Sequence, residues 1–90
     1  MPANKTVSLG ESPVELTEAD VSAITVQNFG PYPAKIYGTT GAAPGASDGF
    51  ITLNAGLAII NRDLADLFPG VSGAVRVWGE GNGQVFVSHA

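Results

Sequence analysis

The only histidine, His89, is the penultimate residue, and eight carboxylates are spread along a chain that has no cysteine. Acid–base catalysis needs a histidine held in place by its neighbours, and the end of a chain supplies few. Nucleophilic chemistry has no better footing. Gly-x-Ser-x-Gly is absent, and without cysteine there is neither a thiolate nucleophile nor a thiolate metal ligand. Glu18 with Asp20, or Asp63 with Asp66, lie close enough in sequence to share a calcium ion. Such a site takes six or more oxygens, and no EF-hand or comparable spacing supplies the rest. Glu11, Glu15, Asp48 and Glu80 read as solvated acids. Gly79-x-Gly81-x-Gly83 lies between two strand-like runs, so its glycines serve turn geometry rather than phosphate binding. A sugar-cleaving pair of carboxylates needs a cleft, for which 90 residues leave little room. The expectation is a protein with no catalytic residue, no cofactor and no metal.

Aromatic residues are the other chemical resource: Phe29, Tyr32, Tyr37, Phe50, Phe68, Trp78 and Phe86, of which Phe50 and Phe68 are expected to fill the core. Two of them fall in the strongest local pattern of the sequence. Ala74-Val75-Arg76-Val77-Trp78 and Gln84-Val85-Phe86-Val87-Ser88 are β-branched and aromatic runs on either side of a Gly-rich turn, which predicts a hairpin. Alternation along each strand pairs Val77 with Val85 and Val75 with Val87, across a Glu80-Gly81-Asn82 loop. Four valines then form a core face. Arg76, Trp78, Gln84, Phe86 and Ser88 form the other face, either covered by the 61–68 segment or presented to a partner. Arg76, Trp78 and Phe86 are the expected partner contacts, with Tyr32 and Pro2. An aromatic platform could instead stack on a sugar.

The elements that must position these residues are short and β-like. Thr6-Val7-Ser8-Leu9, Pro13-Val14-Glu15-Leu16-Thr17, Ala23-Ile24-Thr25-Val26-Gln27-Asn28, Lys35-Ile36-Tyr37-Gly38-Thr39 and Phe50-Ile51-Thr52-Leu53-Asn54 read as strands, punctuated by Gly and Pro. Residues 40–49 form a small-residue loop. Asn61 looks like an N-cap, with Leu64, Leu67 and Phe68 at helical spacing and Pro69-Gly70 as a stop. This predicts one short helix, or an irregular crossover, near 61–68. The fold class expected is all-β: a small antiparallel β-sandwich or barrel. It is a single domain over 1–90, with an N-terminal arm at about 1–5 that has no apolar pattern to anchor it and is held by a neighbour.

Composition narrows the partners. Only 13% of residues are charged, against roughly 25% in an average soluble protein. Interfaces deplete charge at their centres, so part of the surface is expected to be covered in the working state. A folded chain of 9.1 kDa should expose about 4,900 Å², and a partner burying ~800 Å² would cover a sixth of that. Net charge is −4, with Lys5, Lys35, Arg62 and Arg76 scattered, which argues against nucleic acid. There is no secretory pattern at the start and no apolar run long enough to span a membrane. A soluble protein made in the cytosol is expected, with neither nucleic acid nor membrane as partner.

Val14-Glu15-Leu16-Thr17, Ile24-Thr25-Val26-Gln27-Asn28-Phe29-Gly30, Pro33-Ala34-Lys35-Ile36-Tyr37-Gly38-Thr39-Thr40 and Asp48-Gly49-Phe50-Ile51 run in that order. With the closing Val75-Arg76-Val77-Trp78-Gly79, this order resembles small tailed-phage virion proteins. These are short β-sandwich modules that decorate or cement heads or form the base of head spikes, including those of phage-like gene transfer agents. The resemblance implies a non-enzymatic protein of the capsid surface, assembled in the host cytoplasm. It also implies a ring or trimer of the chain in contact with a capsid or fibre protein. The alternative is a glycan- or receptor-binding module of a virion fibre.

Overall fold

The computed structural model describes residues 3–45 and 48–90. In chain order the elements are β1 (Ala3–Ser8), β2 (Val14–Glu15), β3 (Ala23–Asn28), β4 (Ala34–Thr39), β5 (Ile51–Leu53), β6 (Ala58–Asp63), α1 (Leu64–Leu67), β7 (Arg76–Gly81) and β8 (Gln84–His89). They form two four-stranded antiparallel sheets, β1-β8-β3-β6 (sheet A) and β2-β7-β4-β5 (sheet B). The pairs β1·β8, β2·β7, β3·β6 and β4·β5 are those of one long hairpin folded at the 40–50 loop. Rolling that hairpin adds β3·β8 and β4·β7. The result is an eight-stranded jelly roll, a sandwich and not a closed barrel.

Alternation along the strands fills the space between the sheets. Ile24 and Val26 from β3, Val85 and Val87 from β8, Ile36 from β4 and Val77 from β7 are all buried, with Leu16, Leu53 and Leu64 closing the ends. The exposed area, 4882 Å², matches the value expected from mass, so the small core is fully collapsed.

The valine alternation is as expected, but the hairpin is not. Val77 and Val85 face each other across the sandwich, in different sheets. β7 has β2 and β4 as neighbours, and β8 has β1 and β3. Each is a central strand with both ladders taken, so neither has a side left to pair with the other. Their connection is an inter-sheet corner. It is stitched to the β1–β2 connection by Leu9 N donating to Gly83 O and Gly81 N donating to Gly10 O. Val75 lies outside the strand, where its N–H donates to Thr39 O.

Three other boundaries move. The first strand begins at Ala3, with Ala3 opposite His89, so residues 3–5 belong to the sheet rather than to an arm; Met1 and Pro2 lie outside the described residues. The 61–68 segment continues strand β6 as far as Asp63, and helix follows only for the single turn of α1. Asn61 does not cap that turn; it takes φ 46° at a bulge, where the register of β6 on β3 shifts. Asp63 stands at the N-cap without a side-chain cap bond. His89, expected to be a terminal bystander, is inward-facing on β8 and only 7% exposed. Its Nδ1 is near Ala90 O, and its Nε2 has no partner among the described residues.

Candidate partner-binding surface

The five expected contact residues do not form one patch. Arg76 and Trp78 are on the outer face of sheet B, Phe86 is on the outer face of sheet A, Tyr32 is in the β3–β4 connection, and Pro2 lies outside the described residues. The cause is the inter-sheet corner: a face shared in a hairpin becomes two opposite outer faces in a roll.

On sheet B the polar and aromatic side chains satisfy one another. Register places Glu15 and Tyr37 on either side of Trp78. The Arg76 guanidinium reaches Glu15 at 2.7 Å and Asp20 at 2.8 Å, hydrogen bonds that raise its pKa above the ordinary value. The Trp78 indole N–H donates to Thr39 Oγ1 at 3.0 Å. The Tyr37 hydroxyl donates to Glu80 Oε1 at 2.8 Å. Its pKa is raised, first by burial and then by that bond. Phe50, expected in the core, is instead 45% exposed; it stacks at a tilt on Tyr37, 5.5 Å between centroids, and Lys35 Nζ stands 4.9 Å from its ring centre. This face is occupied by its own cross-strand contacts, which makes it a stabilising lattice.

The outer face of sheet A differs. Val85 and Val87 point inward, so Gln84, Phe86 and Ser88 point out. Register sets Phe86 between Thr6 and Gln27, and Ser88 between Asn4 and Thr25. None of these side chains carries a charge. Charge on sheet A is confined to its two edge strands, Lys5 on β1 and Arg62 and Asp63 on β6, so the centre of its outer face is neutral.

The third feature is at one end of the roll. Asn28, 1% exposed, closes strand β3 and ties down two loops at once. Its Nδ2 donates to Tyr32 O at 2.6 Å and Leu53 O at 2.8 Å, and its Oδ1 accepts from Gly30 N at 3.1 Å. Its backbone N–H donates to Leu57 O, and its carbonyl accepts from Gly56 N. The 29–33 and 54–57 loops are thereby fixed side by side. They present Phe29 (51% exposed), Tyr32 (53%) and Leu57 (52%), and Ile60 (68%) follows on β6. Apolar side chains this exposed, on loops this well tied, form an apolar rim held in one arrangement.

Tyr32 was among the expected contacts; Leu57, Ile60 and the Asn28 clamp were not. Leu57-Ala58-Ile59-Ile60 reads as buried by composition alone. The available signal was parity: in a strand Ile59 and Ile60 cannot both point inward.

Among the described residues no group of three His, Asp or Glu side chains converges to hold a metal. No helix is long and apolar enough to cross a membrane. No protein-family model matches the chain, and neither a curated protein nor a solved structure matches it.

Proposed function

We propose that this chain is a non-enzymatic structural protein of a phage or phage-like particle. In this reading it decorates or cements the capsid surface or forms a head-spike base, in contact with copies of itself and with a capsid or fibre protein. It is made in the host cytoplasm and resides on the virion. The observation that carries the reading is the clamped, exposed apolar rim of Phe29, Tyr32 and Leu57, the kind of surface that supports protein contact. The sequence resemblance supports it, as does the jelly roll, an architecture used by viral capsid domains.

Lectins share that architecture, so a glycan-binding fibre module is the competing reading. It loses its motive on sheet B, where the Trp78 indole N–H is engaged by Thr39 and Tyr37 by Glu80. Phe86, on the opposite sheet, cannot extend the same platform.

Mass spectrometry of purified particles is expected to find the chain at a fixed ratio to the major capsid protein. Anchors of this kind contribute about 2 kcal/mol or more each, so Phe29→Ala with Tyr32→Ala should reduce particle occupancy at least tenfold. Both side chains are half exposed, so the melting temperature of the isolated protein should stay almost unchanged. Absence from particles, or occupancy indifferent to the double variant, overturns the proposal.

A further inference from the structure

Asn82 and Gly83 join β7 to β8 and belong to neither strand. Of the five asparagines in the chain, Asn82 alone precedes a glycine. The amide carbon of an asparagine side chain can close a five-membered ring onto the next backbone nitrogen. A Cβ on that next residue crowds the closure, and glycine has none. The corner leaves the reacting groups free. Asn82 is exposed, so water reaches its amide. The flanking groups are engaged: Gly81 N donates to Gly10 O, and Gly83 O accepts from Leu9 N. Gly83 N has no acceptor among the described residues, so it can lose its proton without breaking a hydrogen bond.

The other asparagines are held or hindered. Asn28 commits its side-chain amide to Tyr32 O, Leu53 O and Gly30 N. Asn4 and Asn61 lie within β1 and β6. Asn54 precedes Ala55, whose Cβ crowds the closure. We infer that Asn82 is a site of spontaneous deamidation, with water as its only co-reactant. The Gly83 nitrogen gives its proton to hydroxide and bonds to Cγ of Asn82. The Cγ–Nδ2 bond then breaks, and that nitrogen takes a proton from water and leaves as ammonia. Water next opens the cyclic imide at either carbonyl. Opening at Cγ leaves an aspartate. Opening at the main-chain carbonyl leaves an isoaspartate, in which the side chain carries the main chain onward. No oxidant or reductant is needed.

Both products disturb the corner. Asn82 shares a hollow with Glu11, Glu80 and Lys35, so a carboxylate at this position sets a third negative charge beside one positive charge. The isoaspartate also lengthens the main chain by one carbon between Gly81 N and Gly83 O, the two stitches to the β1–β2 connection. With the spacing between them changed, they cannot both keep their partners. The shift reaches the apolar rim, because the corner backs the 29–33 loop: a Cβ on Gly30 would stand 3.5 Å from Gly83 Cα. Deamidation thus acts as a clock that releases this corner as the protein ages. The inference does not draw on the particle reading.

The full chain, incubated in warm, mildly alkaline buffer and mapped by peptide mass spectrometry, tests it. Asn82 should convert before any other asparagine, with the mass change of an amide becoming an acid and two chromatographically distinct products. Gly83→Ala should slow conversion at least roughly fivefold, through the conformational freedom that glycine has and alanine lacks. That variant should fold, since its Cβ meets Gly30 Cα at 3.7 Å, an ordinary contact. In the isoaspartyl form the Leu9 and Gly81 amides should exchange with deuterium roughly fivefold faster than in Asn82→Asp, the worth of one hydrogen bond. Asn82→Asp carries the charge on an unaltered backbone. Asn82 retained while another asparagine converts overturns the inference, as does a Gly83→Ala rate equal to that of the parent chain. Equal exchange in the isoaspartyl form and in Asn82→Asp overturns the release of the corner.

Discussion

Asn28→Ala is expected to lower the unfolding free energy by about 3 kcal/mol, because each buried group left unsatisfied costs ~1–3 kcal/mol. The substitution strips partners from Leu53 O, Tyr32 O and Gly30 N. The first of these bonds lies in the interior, and the other two are partly buried and can recruit water, which keeps the total below three full penalties. Stability of a small domain is only ~5–15 kcal/mol, so urea melts should show a clear fall in midpoint. The rim should also loosen, since two loops lose a common anchor, and particle occupancy should fall with it. A change below about 1 kcal/mol, the net value of one ordinary hydrogen bond, would show that the loops hold themselves.

Gly38→Val is the second large effect expected, about 3–5 kcal/mol, comparable to losing the aromatic side chain it displaces. A Cβ at position 38 would lie 2.3 Å from Cδ2 of Phe68 and 2.6 Å from its Cγ. The ring follows α1 directly, is 9% exposed, and lies on the bare backbone of β4. It cannot yield by a side-chain adjustment and must leave its place. Phe68→Leu in the Gly38→Val background should recover part of the loss, and a double-mutant cycle reads that coupling. Additive effects would mean that the ring is not what Gly38 makes room for.

Most of the β architecture was legible because it is written in alternation. Ile24 and Val26, Val77, and Val85 and Val87 are inward where parity puts them. Two things were illegible for one reason: local sequence does not record which neighbour a strand takes. A Gly-rich turn between β-branched runs looks the same whether it returns within a sheet or crosses to another. Only β2 and β4 closing around β7, and β1 and β3 around β8, decide the matter. The split of Arg76 and Trp78 from Phe86 follows directly. Strand β6 was obscured by Asn61, whose turn-like character marks a bulge within the strand rather than a helix start. Of the apolar rim, Tyr32 was readable as an aromatic in a Pro/Gly loop. Asn28 was not, since its three side-chain bonds reach residues up to 25 positions away.

The rolled hairpin also sets an order of assembly. Pairing Ala3 with His89 closes nearly the whole chain, which from the unfolded state costs about 4 kcal/mol in loop entropy, against roughly 2 for closing β4 on β5. The cheap closure comes first. With β4·β5 formed, β3·β6 closes only short additional loops, then β2·β7, then β1·β8, so the roll zips from its middle outward. So many distant pairings place folding in milliseconds to seconds. The outermost pair, last to form, is the first exposed when the protein opens, and β1 is the strand through which unfolding begins.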